Sequence, residues 1–392
     1  MTAPLCIMLV AAEASGDERG AGLMAALKRQ HGAENLRFVG LGGARMSAEG
    51  LESPFDMSEL SILGLVEGLM AYRRVVRRAD EMAALAKREA PDVAVLIDSW
   101  GFNIRVAARL KAQTPDLPVI KYVAPQVWAY RAGRAKALAR VTDHLLSIHV
   151  FDAPYFEAAG LATTFVGNST FSLDFSSADP DALRARLGID PAAEVLLVLP
   201  GSRASEIARV MPPFESAVEA LKSARPGLEV VVPAADTVID QVRARVAGWP
   251  FRAHVLDGQH DKLSAMKLAT VALACSGTVT TEVAMAGAPM VVGYRLAPLT
   301  HAILKRLIKT PYVTLFNIAA QDFVAPELIQ DDCNGPALAR ELARRLDDPE
   351  LRRRQVAAQD AALTKMGRGG PDPSETAARV VLNVANRSSP AT

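Results

Sequence analysis

The chain reads as an α/β protein of two domains, each a parallel sheet covered by helices. Three observations predict this. Half of the residues are hydrophobic but only 5% are aromatic, a balance carried by Ala, Val and Leu that suits buried parallel strands better than a β-sandwich. At 392 residues the chain is too long for one small core, and domains of about 100–200 residues make two the natural division. Finally, an alternation of short apolar runs with helix-like stretches restarts midway. The apolar run 195–199 passes into Pro200-Gly201-Ser202-Arg203-Ala204-Ser205-Glu206 and a new helix.

In order, residues 5–11 read as a buried strand, and Ser15-Gly16-Asp17 opens a helix with Leu23, Ala26 and Leu27 on one face. Strands follow at 37–41, closed by Gly42-Gly43, at 93–97, closed by Asp98, at 119–123, and at 145–148 after a basic helix. Strands separated by helices imply right-handed crossovers and parallel pairing. The first domain is expected over 1–170. The Ser/Asp/Pro-rich stretch 169–190 reads as a linker into a short helix at 181–187. A second domain over 171–366 has expected strands at 195–199, 229–232, 254–256, 271–274 and 290–292. The tail, 367–392, starts loosely at Gly367 to Gly370, and its helical run 375–385 is free to dock on the N-terminal domain.

Charge and cysteine content exclude several classes. The formal net charge is +1, which offers nothing to nucleic acid. Cys6, Cys275 and Cys333 are far apart and form no C-x-x-C pair, against a disulfide framework and in favour of a reducing cytoplasm. The first apolar segment has no basic region before it and is interrupted by Glu13, so no export signal is expected. The charge-free stretch 158–173 contains Gly160 and Gly167 and falls short of the ~20 residues that span a bilayer. No transmembrane helix is expected. The six histidines form no H-E-x-x-H, and there is no G-x-S-x-G, no Walker A loop and no G-x-G-x-x-G, since Arg45 stands where its last glycine would be. No metal and no cofactor are predicted.

Ligands of open α/β sheets collect at the carboxyl ends of strands, which singles out four loops. In Glu13-Ala14-Ser15-Gly16-Asp17 small residues allow close approach, although Ser15 or Asp17 would serve equally as a helix cap. Asp98, at the mouth of a buried strand and followed by Asn103, is placed either to take a proton from a substrate hydroxyl or to cap its helix. Gly201, Ser202 and Arg203 combine free backbone N–H groups with a cationic fork that suits phosphate, while Glu206 is placed to pair with Arg203 or close a capping box. Ser276, Gly277 and Thr278 offer a second anion site, with Glu282 about one turn on to accept from vicinal hydroxyls such as those of ribose. Two anion loops and a carboxylate in one domain suit a nucleoside diphosphate.

A different signal lies at 60–78. Ile62, Leu65, Val66 and Leu69 share a helical face, and Arg73, Arg74, Arg77 and Arg78 follow at once. Such a helix suits a membrane interface with anionic lipid, or else a core whose arginines are solvated. A weaker stretch of the same kind is 301–309.

Several of these motifs together resemble the lipid-A-disaccharide synthase family. They are Glu13 to Asp17, Gly42-Gly43-x-x-Met46, Tyr122-Val123-Ala124-Pro125-Gln126-Val127-Trp128-Ala129, Leu199 to Glu206, Ser276-Gly277-Thr278 with Glu282, and Lys309-Thr310-x-Tyr312 leading to Asn317. The resemblance covers most of the chain. It implies a GT-B-like pair of Rossmann-like domains facing an interdomain cleft, and inverting, metal-independent sugar transfer. The substrates it implies are UDP-2,3-diacylglucosamine as donor and 2,3-diacylglucosamine 1-phosphate (lipid X) as acceptor, joined into a β-1,6 disaccharide. It carries over Asp98 as the base, Arg203 to the donor's nucleotide or diphosphate, Glu282 to ribose and Asn317 to the neighbourhood of the donor. Acylated substrates raise the membrane reading of 60–78 and imply a peripheral enzyme on the cytoplasmic face of an anionic Gram-negative inner membrane. A homodimer is left open. A UDP-N-acetylglucosamine epimerase on the same architecture is the alternative. The chain departs from the family at Ala12, where Gly is usual, at Ser99-Trp100-Gly101, where x-Pro-x is usual, at Asn168, where His is usual, and at Phe316, where Pro is usual.

Overall fold

The computed structural model describes residues 4–60, 65–127, 133–297, 301 and 310–388. Among them the chain forms two compact units, one of residues 1–169 with 370–392, the other of residues 170–369.

The first unit is built on a six-stranded parallel sheet in the order β2-β1-β3-β4-β5-β6. Its strands are β1 (Leu5–Ala11), β2 (Leu36–Leu41), β3 (Val93–Ile97), β4 (Val119–Tyr122), β5 (His144–Ser147) and β6 (Ala162–Phe165). The apolar runs are continuous because both faces are covered. From β1, Ile7, Leu9 and Ala11 enter one core and Met8 and Val10 the other, joined there by Ala12 just past the strand. Helix α1 (Ala14–His31) sends Leu23 and Leu27 to the first core, and there they meet Ala377, Ala378 and Val381 of the C-terminal helix Pro373–Ser388. The second unit repeats the plan, with order β12-β11-β10-β7-β8-β9. Its strands are β7 (Val195–Leu199), β8 (Glu229–Pro233), β9 (His254–Leu256), β10 (Val271–Cys275), β11 (Met290–Tyr294) and β12 (Glu327–Ile329).

Three differences from the sequence expectation have local causes. β4 stops at Tyr122 because Val123 takes φ +74°, which breaks the strand. β6 and β12 are edge strands, half-buried and short, and lack the long apolar run that marks a central strand. The basic helix runs over Leu65–Glu89 rather than 60–78. Ile62 lies outside the described residues, as do the side chains of Leu65, Val66 and Leu69. Of the four arginines, Arg73, Arg74 and Arg77 are exposed. Arg78 is committed to Glu59 at 2.6 Å and to Glu81, and Arg77 lies 3.6 Å from Glu81.

Candidate functional site

In each sheet the first strand has the second on one side and a later strand on the other, so the chain reverses direction beside it. At such a switch point two strand-to-helix loops splay apart and leave a crevice. In the first unit the reversal falls between β1 and β3, and in the second between β7 and β10.

The first crevice holds Asp98. With φ +54°, followed by Ser99 at +35°, the residue turns out of β3 through two left-handed conformations that non-glycine residues seldom adopt. Such a turn persists only where its surroundings over-determine it. Asn103 supplies one restraint, its amide donating to the carbonyls of Ile97 at 2.8 Å and Asp98 at 3.0 Å. The carboxylate faces α1 across the reversal. Oδ2 accepts from Ser15 Oγ at 2.9 Å and from Arg19 Nη1 at 3.1 Å, and Oδ1 from the amide of Ser99. Gly16 is buried, and a Cβ there would stand 3.2 Å from that of Ala11, so a larger residue would push α1 off the strand.

The second crevice is a cavity of about 480 Å³. Both anion loops line it, together with Asp236, Gln259 and Lys262. Helices α8 (Ala204–Ala224) and α11 (Thr278–Met285), numbered among the described residues, have Arg203 and Gly277 as their N-cap residues. Neither start receives a side-chain cap from its N-cap residue, so first-turn N–H groups remain for an anion. Arg203, 76% exposed at its side chain, is tethered to Glu206 at 2.7 Å, and that bond holds its guanidinium above the ordinary arginine range. Gly201 has φ +111°, and a Cβ there would lie 2.8 Å from the Glu206 carboxylate. Glu282 pairs with Lys262 at 2.5 Å. Ser276 is half-buried, and Gly277 and Thr278 are exposed on the cavity's lip.

Four residues expected to touch substrate already have partners within the protein. Asp17 is buried, and its carboxylate caps the short helix Ala44–Ala48 by accepting from the amides of Gly43, Arg45 and Met46 at 2.7–3.0 Å. Glu206 borders the cavity, and its carboxylate accepts from Arg203 and from the amide of Ser202, the residue before the N-cap. Asn103 is fully buried on the carbonyls described above. Asn317, also fully buried, clamps Ala325 through both its amide groups, at 2.9 and 3.1 Å. Asn317→Ala is therefore expected to lower stability by roughly 1–3 kcal/mol for each backbone group left unpaired. UDP affinity of the folded variant should stay within about twofold, a change far below the tenfold that 1.4 kcal/mol would bring. Denaturant midpoints and calorimetry check the two halves of this statement.

Arg19 joins the first crevice and Lys262 the second through the fold. In the sequence Arg19 has a signal, since it follows Ser15 by one helical turn on α1; Lys262 has none.

Two doubly wound units with their loops gathered at switch points define the class, a glycosyltransferase-type GT-B fold. Solved structures that share it include UDP-GlcNAc 2-epimerase from Neisseria meningitidis bound to UDP-GlcNAc, with a TM-score of 0.59 at 10% identity over 98% of this chain and 100% of that one. Acinetobacter baumannii MurG is similar too, at 0.55 and 15% over 97% and 100%. The chain belongs to the lipid-A-disaccharide synthetase family, whose model matches residues 7–380. Relatives described as lipid-A-disaccharide synthase include that of Rhodospirillum centenum, 42% identical over 98% of this chain and 96% of the relative. That of Pseudomonas savastanoi pv. phaseolicola is 41% identical over 99% and 100%. As a member of this family the protein is a glycosyltransferase of lipid A biosynthesis that uses a UDP-sugar.

Proposed function

We propose that the protein transfers 2,3-diacylglucosamine from its UDP conjugate to the 6-hydroxyl of 2,3-diacylglucosamine 1-phosphate, with inversion, releasing UDP. The observation that carries the chemistry is the carboxylate of Asp98. It sits at a switch point and already accepts a hydroxyl, that of Ser15, at 2.9 Å, the geometry in which a base receives a proton. The acceptor's hydroxyl takes that role as it attacks the anomeric carbon, and the bond from that carbon to the UDP oxygen breaks on the opposite side. Negative charge then grows on the departing diphosphate. The uncapped starts of α8 and α11 and the Arg203 guanidinium are suited to receive it. Lys262 is the cavity's further cation, and the Glu282 it holds is the group suited to ribose.

Turnover with the two acylated glucosamine substrates tests this reading. Disaccharide and UDP should appear together, and UDP release should fall sharply when the acyl chains are removed. Release that is indifferent to the acyl chains would sink the reading and favour an epimerase-like activity.

Acylated substrates also require access to a lipid surface. No described helix is long and apolar enough to cross a membrane, and a peripheral site on the anionic cytoplasmic face of the inner membrane fits the apolar-then-cationic pattern of Ile62 to Arg78. Changing Leu65, Val66 and Leu69 to Ser should reduce co-sedimentation with anionic vesicles while circular dichroism stays unchanged. Unfolding of that variant would make the segment core instead.

A further inference from the structure

A lysine stands in the middle of a buried central strand. Lys121 of β4 is 2% exposed, follows Val119 on the same face of the sheet, and has no carboxylate in ion-pair contact among the described residues. Its ammonium donates to three carbonyls, those of Tyr122 at 2.9 Å, Leu96 at 3.3 Å and Asp98. Burying a cation on neutral acceptors is costly. The cost is visible in its acidity. Burial pushes the ammonium down to about 7, with Asp98 and Glu13 drawing it back up and Arg19 opposing them. A methionine would fill the same volume without that cost, so the charge has another use.

The bond to Asp98 shows which. The carbonyl of Asp98 is turned out of the sheet by the left-handed step at +54°, and it receives both Lys121 Nζ and the amide of Asn103. We infer that Lys121 is a positioning residue for Asp98: its ammonium ties the carbonyl of the turn to the ends of β3 and β4 and so fixes the direction of the carboxylate. This rests on the reading of Asp98 as the base that takes the acceptor's proton.

The test is a double-mutant cycle on the full-length enzyme with the two acylated substrates. Lys121→Met should lower kcat by about 10–100-fold with acceptor KM and UDP affinity little changed, as expected when a catalytic group is misaimed rather than lost. Lys121→Met combined with Asp98→Asn should be no slower than Asp98→Asn alone, because a positioning residue has nothing left to position. A kcat within twofold of the parent, or losses that multiply in the double variant, would overturn the inference. If Lys121→Met does not fold, Lys121→Gln, which keeps an N–H donor, enters the same cycle. Failure of both to fold makes Lys121 a structural anchor and also overturns it. Should Asp98→Asn alone leave turnover intact, it is the reading of the base that has failed, an outcome separate from a slow Asp98→Asn beside an unaffected Lys121→Met.

Discussion

Asp98→Asn is expected to lower kcat by about 10²–10⁴-fold, the range that a positioned general base supplies, while UDP-sugar affinity stays near that of the parent. The amide is nearly isosteric with the carboxylate but cannot accept a proton at neutral pH. It also leaves Arg19, only 18% exposed at its side chain, without its anion. The structure separates these two effects. Loss of the ion pair alone is reproduced by Arg19→Met, which should shift the denaturation midpoint and reduce turnover far less than Asp98→Asn. Steady-state kinetics of the two variants, with UDP binding measured by calorimetry, give the comparison. An Asp98→Asn enzyme that turns over at the parental rate would remove Asp98 from the chemistry.

Arg203→Ala should be the second largest loss, about 10²–10³-fold in kcat/KM, comparable to deleting one preorganised donor to a developing oxyanion. Two terms add. The guanidinium proposed to meet the diphosphate is gone, and Glu206, only 10% exposed at its side chain, keeps the amide of Ser202 as its hydrogen-bond partner among the described residues. That carboxylate then opposes a second anion in the same cavity. Arg203→Ala with Glu206→Gln should therefore recover part of the loss, and Arg203→Lys should keep the charge but not the fork. UDP affinity and kcat/KM, followed with salt concentration, read both terms. Equal losses in Arg203→Ala and in the double variant would exclude the electrostatic contribution of Glu206.

Legibility in the sequence followed the range of the interaction. Loops such as Pro200 to Glu206 and Ser276 to Glu282 were readable because a buried strand, a Gly or Ser turn and a helix start are consecutive residues. The Arg203–Glu206 pair was visible as an alternative for the same reason, being three residues apart. Partners chosen across the fold were not. Asp17 reads as a cap for its own helix but caps the next one, 26 residues on at Gly43. Asn317 reads as a ligand contact beside the Lys309 motif, yet its amide closes on Ala325 in the core. Lys121 stands inside an otherwise apolar strand, where a lone cation is itself the signal.

Two α/β units and the motifs of one glycosyltransferase family are written in the chain itself, because hydrophobic period, turn residues and loop motifs are local properties. Which loops meet, and which polar groups find partners, depends on the fold. The order β2-β1-β3 sets Ser15 and Arg19 against Asp98, and β10-β7 sets the two anion loops around one cavity. Strand order follows from how whole faces bury against each other. No single segment records which neighbour it will find, so the polar pairings that depend on that neighbour are written only in the fold.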